Sequence, residues 1–259
     1  MNETESTPWI IPLFNFESDA DLVTLNDRIC LRRIEPHELE KTVEGVPLGE
    51  MIRHWLMSVV LYVLEVRMKS IGSHADNIIL TFRLLKSGDV KGPMAFQVKE
   101  RGRRFLATPY LANILSENTY SLSKNDAADF RELYRNVENV ASKPYLDFSL
   151  KTFMEAYDEK IPEDRIVNYM AALESMVFYG SDKAIEPAGA VMGMAVGMML
   201  GRNQPERDEI RETLSQAYYV RNARVHGNVK RLKKLEKVKQ ISDRAEEYLR
   251  RTLRKFIEE

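Results

Sequence analysis

Glycine recurs at every fourth position through the most apolar stretch of the chain: Gly189, Gly193, Gly197 and Gly201, within and just after Ala188 to Leu200. A four-residue repeat lines up along one face of a helix. Thirteen apolar residues fall short of the ~20 needed to span a bilayer, although membrane helices use similar glycine motifs. Glu186-Pro187 and Arg202 bound the stretch with polar and helix-breaking residues. The spacing therefore predicts a helix whose bare face lets a second helix approach closely. Met192, Met194, Met198 and Met199 on the same stretch read as adaptable core filler rather than a ligand set.

The next pattern is long and helical, from Pro205 to Gly227. Pro205 suits a first helical turn, where its missing N–H costs nothing. Glu206, Asp208 and Glu209 favour the positive end of the helix dipole. Ile210, Leu214, Ala217, Tyr218 and Val225 recur at helical spacing and predict one apolar stripe, with Arg221 in its midst. A guanidinium there is costly unless something pairs with it. Gly227 is the expected stop, because glycine adopts the left-handed cap without strain. His226 then falls on the last turn, with Asn222 one turn before it.

Two readings of this end remain open from residue chemistry. A helix C-terminus favours imidazolium by up to ~2 kcal/mol, while Arg221 and Arg224 oppose it, so His226 is expected to titrate near neutrality. Such a histidine can give or take a proton, and an arginine beside it can hold a phosphate through paired hydrogen bonds. The plainer reading is a capped helix with a surface histidine and an arginine in a structural salt bridge.

The run Arg221-Asn222-Ala223-Arg224-Val225-His226-Gly227 resembles the Arg-polar-x-x-x-His signature of HEPN domains. The aromatics before it and the glycine after it resemble the Apea-like HEPN group. Ala172-Leu173-Glu174-Ser175-Met176-Val177-Phe178, about fifty positions upstream, is similar to the Leu-Glu helix of that group. The resemblance covers roughly residues 125–257, about half of the chain, and no position of the signature departs from it. It implies an all-helical, usually dimeric domain. Many members are metal-independent endoribonucleases, and others bind RNA or nucleotide without cutting. It implies Arg221 and His226 as the catalytic pair with Asn222 between them, and neither metal nor other cofactor. A defence or toxin-like role, with an antitoxin or other regulatory partner, is what the family adds.

Charge is unevenly placed. The chain carries a net −1, yet residues 221–259 hold 13 Lys+Arg against 6 Asp+Glu, a local +7 that leaves −8 on the rest. A basic end on an acidic body points to nucleic-acid contact or, equally, to a solvated helix face. Cys30 is the single cysteine, which excludes an intramolecular disulfide and fits a cytoplasmic protein. The polar, acidic Met1 to Pro8 lacks the pattern of a signal peptide. His37, His54, His74 and His226 show no metal-ligand spacing, and no phosphate-binding loop motif occurs.

The fold class expected is α+β: a small mixed unit over 1–115, of unknown role, then a HEPN-like helical bundle over 116–259. Trp9 to Phe16, interrupted by Pro12, is expected to be an edge strand. Arg28–Ile34, Leu61–Met68 and Met94–Lys99 read as further strands, with a helix starting at Pro36 and another carrying Ile78, Ile79, Phe82 and Leu85. Ser123 and Asp126 make a capping box. Phe130, Leu133, Val137 and Val140 continue it as a helix, in which Tyr134-Arg135-Asn136 mimics the key motif without a histidine. Helices follow from Pro144, from Pro162 and from Leu232 to Ile257, the last with a basic start.

RNA cleavage by 2′-hydroxyl attack needs a base for that proton and an acid for the leaving 5′-oxygen. One motif histidine per chain therefore calls for a homodimer. In this reading Arg224, Lys230, Lys233 and Lys234 contact RNA, while Glu174 and Tyr218 support the pair. Glu174, at the edge of one apolar stripe, is expected to bond Arg221 or Arg224. The alternatives are a non-catalytic RNA- or nucleotide-binding module and a purely structural dimer in which Glu174 locks Arg221.

Overall fold

The computed structural model describes residues 7–99, 102–107, 116, 118–140, 143–181, 187–228 and 237–258. It is α+β: an antiparallel sheet lies in the first part and helices fill the second. The chain divides into two compact units, 1–135 and 136–259. The change of sequence texture at 116 comes about twenty residues before that division.

The first unit is built on a six-stranded sheet. Its strands are β1 (Trp9–Leu13), β3 (Leu22–Thr24), β4 (Ile29–Arg33), β5 (Tyr62–Val66), β6 (Met94–Lys99) and β7 (Gly102–Ala107). The order is β3-β4-β5-β1-β6-β7, with every described neighbour antiparallel. β1 is thus an interior strand, not the edge strand that Pro12 suggests. Phe14 exchanges both backbone bonds with Lys91 on the β6 side. Pro12 has the same parity, so its missing donor faces that side as well. Pairing with β6 covers only Trp9 and Ile10, and no ladder bond is demanded of Pro12.

Helices α1 (Pro36–Val43), α2 (Glu50–Val59) and α3 (Gly72–Leu85) complete the unit, with a parallel pair of β2 (Phe16–Ser18) and β8 (Tyr120–Leu122). Leu39, Val43, Leu56, Ile10 and Phe96 share one core cluster. Phe16, Tyr62, Phe82, Tyr120 and Phe130 form a chain of ring contacts with centroids 4.8 to 5.8 Å apart. These rings bring β8 and the start of α4 (Ala127–Asn139) into the first unit. Gly88 is needed there: its φ is 136°, and a Cβ would sit 2.6 Å from the Tyr120 Cα. The Ser123–Asp126 capping box forms as expected.

The second unit is a helical bundle of α5 (Pro144–Ala156), α6 (Pro162–Val177), α7 (Ala188–Leu200), α8 (Gln204–Val225) and α9 (Val238–Glu258). α6 is central and packs against α5, α8 and α9. Its Ile166, Met170 and Leu173 are wholly buried, as are Leu146 and Phe153 of α5 and Leu249 and Leu253 of α9. A charged pair, Glu246 and Arg250, is buried with them. Glu246 accepts from Tyr157 at 2.8 Å and from Tyr169 at 3.3 Å, and Arg250 pairs with it. With its oxygens bonded, that carboxylate joins three helices. Among the described residues no helix is long and apolar enough to cross a membrane.

The glycine face of α7 meets α8. A Cβ on Gly193 would lie 2.9 Å from the Arg211 carbonyl oxygen, and one on Gly197 would lie 3.0 Å from that of Arg207. Backbone therefore packs on backbone, as the spacing predicts. The methionines divide differently from expectation. Met192 is fully buried, but Met194 and Met198 are 48% and 74% exposed. A glycine face turned toward α8 carries those two positions away from the core.

Candidate active site

α8 is fixed at both ends. At its start the Asn203 side chain accepts from the Glu206 N–H at 3.0 Å. The Arg202 N–H, 2.9 Å away, and its side chain, with Arg251 from α9, hold the Glu206 carboxyl well down, to about 2. At its end Gly227 has φ 65°. The Gly227 N–H donates to Arg224 O at 3.1 Å and the Asn228 N–H to Ala223 O at 2.7 Å. These two bonds are the Schellman pattern, so Gly227 stops the helix as its position predicts.

The buried stripe of α8 is Ile210, Thr213, Leu214, Ala217, Val220 and Ala223. It corrects the expected stripe: Val225 is 53% exposed and lies off it, and Tyr218 is only half-buried. From Leu214 the buried positions advance by threes. Each such step falls about 60° short of a full turn on a 3.6-residue helix. By the last turn the core face has rotated away from Val225, and Arg221 flanks the core rather than filling it.

Arg221 is held on three sides. Its Nη2 lies 3.5 Å from Glu174 Oε2 on α6. Its Nη1 donates to Asn222 Oδ1 at 3.0 Å. Its guanidinium carbon stands 5.5 Å from the centroid of the Tyr218 ring, within the range of a cation–π contact. Tyr218 in turn needs Gly189, because a Cβ there would come within 2.8 Å of the ring. Thus the glycine face of α7 makes room for the ring beneath Arg221.

Arg224 behaves differently from its neighbour. Its Nε and Nη2 make a bidentate pair with Asp164 at 2.6 and 2.8 Å. Asp164 holds the guanidinium pKa above its usual value. Asp164 and Glu174 are ten residues apart on α6, about 15 Å along the axis, whereas Arg221 and Arg224 span only about 4.5 Å on α8. The two guanidinium groups must therefore diverge. Asp164 escapes sequence reasoning because it reads as one more acid in a helical first turn.

His226 caps the helix with its backbone N–H, which donates to Asn222 O at 3.0 Å, and its residue is exposed. Five positions separate it from Arg221, about 140° around the helix axis. Asn222 lies between them, about 40° from His226, and its bond draws the guanidinium toward that side. The expected residues Arg221, Asn222, Glu174 and Tyr218 are thus brought together, with His226 at their edge and Arg224 turned to Asp164. Lys230, Lys233 and Lys234 lie outside the described residues. His37 and His54, remote in sequence, are exposed.

This arrangement offers an exposed imidazole at the helix end and a guanidinium oriented by three neighbours. No protein-family model, no curated protein and no solved structure matches the chain.

Proposed function

We propose that the chain is a metal-independent endoribonuclease of HEPN type, acting as a cytoplasmic homodimer on RNA. The observation that supports this reading most is the end of α8. An exposed imidazole stands at a glycine-capped helix terminus, and an arginine five residues earlier is oriented by a carboxylate, an amide and a ring.

The chemistry follows from those groups. His226 of one subunit takes the proton of a 2′-hydroxyl. The 2′-oxygen attacks phosphorus, and the bond to the 5′-oxygen breaks. His226 of the partner subunit gives the leaving 5′-oxygen its proton. The products are a 2′,3′-cyclic phosphate and a 5′-hydroxyl end. Arg221 stabilises the negative charge that builds on the phosphoryl oxygens. Asn222 keeps its guanidinium on the His226 side. Two-fold symmetry supplies the second histidine, since an isologous interface places the same segment of both subunits together. A regulatory partner of antitoxin kind belongs to the same reading.

A second reading, a non-catalytic RNA- or nucleotide-binding or dimerisation module, is favoured by two ion pairs. Asp164 occupies the Arg224 guanidinium, and Glu174 already contacts Arg221. Incubating an RNA panel with wild type and His226→Ala in EDTA separates the two. Cyclic-phosphate ends from wild type alone support the nuclease. Binding by both proteins without cleavage supports the module.

A further inference from the structure

α8 and α9 enclose a groove of about 560 Å3. That lies within the ~300–1,000 Å3 of small-ligand sites. Its floor is Thr213 and Ile241, 5% and 9% exposed. Its walls carry Tyr219 with Gln216 from α8, Gln240 and Arg244 from α9, and Lys237 just before α9. Among the described residues no carboxylate lines it, and both lining charges are positive. Glu209 stands outside, in a 3.1 Å pair with Arg244 whose members are 51% and 60% exposed. Such an exposed pair is weak and exchangeable for a phosphate. Glu212, also outside the lining, accepts from Gln216 Nε2 at 3.2 Å.

Two further observations fit this groove to a nucleotide. Lys237 has φ 65°, a left-handed backbone that a non-glycine residue adopts at a cost. It stands directly before the first turn of α9, so its charge adds to the positive end of that helix. Tyr219 precedes His226 by seven positions. That is within about 20° of two full turns and about 10.5 Å along the axis, so ring and imidazole share a face of α8.

We propose that this groove is an RNA subsite: Tyr219 stacks on a base flanking the scissile bond, Lys237 and Arg244 hold the adjoining phosphate, and Gln216 and Gln240 meet the base edge. The proposal rests on the RNA-directed reading of His226. It gives that reading a track for the strand, since a stacking ring beside cations is how single strands are held.

The test is binding of a fluorescent, fully 2′-O-methylated single-stranded RNA oligomer, which cannot be cut, to the full chain. Tyr219→Ala is expected to weaken binding about 5- to 150-fold, the effect of losing one stacked base, while Tyr219→Phe binds as wild type. Lys237→Gln is expected to lower the slope of log affinity against log salt by about 0.7, one phosphate contact on a single strand. Thermal melts identify any variant that fails to fold, and Lys237→Gln, an exposed position, then carries the test. Unchanged binding in folded Tyr219→Ala together with an unchanged salt slope in Lys237→Gln overturns the subsite. A mononucleotide that competes as strongly as the oligomer overturns the RNA assignment and makes this a free-nucleotide site. Cleavage assays on wild type separate the two readings. Tyr219-dependent binding without cleavage leaves the subsite and removes the nuclease. Cleavage with Tyr219-independent binding does the reverse.

Discussion

The guanidinium of Arg221 lies 3.5 Å from the carboxylate of Glu174, and each side chain keeps about a quarter of its surface in solvent, 27% and 25%. At that distance and exposure the contact orients the arginine without locking it. A double-mutant cycle with Arg221→Ala and Glu174→Ala is expected to give a coupling below ~1 kcal/mol in urea unfolding. A coupling of several kcal/mol would identify a locked structural bridge and argue against a role for Arg221 on substrate.

His226→Ala is expected to lower RNA cleavage by ~100- to 10,000-fold, the usual loss of an acid–base group. The residue is exposed and off the buried stripe, so its melting temperature should stay that of wild type. Equal cleavage rates for the two proteins in EDTA would remove His226 from the mechanism.

Arg224→Ala should act on stability before activity. Both of its bonding nitrogens are taken by Asp164, so cleavage should fall far less than in Arg221→Ala. Arg224→Lys should not restore the stability lost, because an ammonium cannot reproduce the paired geometry. Steady-state cleavage and thermal melts on the three variants check this, and an Arg224→Ala loss as large as that of Arg221→Ala would return Arg224 to the phosphate.

Glu206 sets a pH dependence at the start of α8. Its folded pKa is depressed from the ordinary 4.5 to about 2, chiefly by the Arg202 backbone N–H. A group lowered on folding stabilises the native state above its unfolded pKa, and that contribution is lost as pH falls through the folded value. Wild type should therefore melt above Glu206→Gln at pH 6, with the gap closing between about 4.5 and about 2. A gap that stays constant across that window would show that the carboxylate charge is not what holds this helix start.

Gly193→Ala is expected to destabilise the bundle by ~1–3 kcal/mol, as overpacking does, because the added carbon would meet the Arg211 carbonyl at 2.9 Å. Met198→Ala, on the 74% exposed side of the same helix, should change stability by less than ~0.5 kcal/mol. Urea titrations of both variants measure the difference.

Features carried by local chemistry are the ones that the sequence makes legible. The four-residue glycine repeat places a bare face on α7, and Gly227 ends α8, because both depend on backbone sterics within a few residues. Glu174 can be matched to Arg221 or Arg224 because Glu174 edges one apolar stripe and Arg221 interrupts another, and the contact formed is with Arg221. Asp164 and Arg224 offer no such mark: both sit where solvated charges belong, and only the crossing of α6 and α8 joins them. Pro12 misleads for a related reason. Its missing donor excludes a ladder bond on one side at one position, and the interior strand β1 satisfies that by letting its pairing to β6 lapse there.

The approach of α7 to α8 has a mechanical consequence for the site. Side-chain contacts can yield by changing rotamer, but the contact at Gly193 and Gly197 is made by main-chain atoms, which have no rotamers to change. α8 is therefore seated on a hard bearing. On the proposed function, a substrate at its far end would be met by movement of Arg221, Asn222 and His226 about their own bonds, with the helix beneath them staying still.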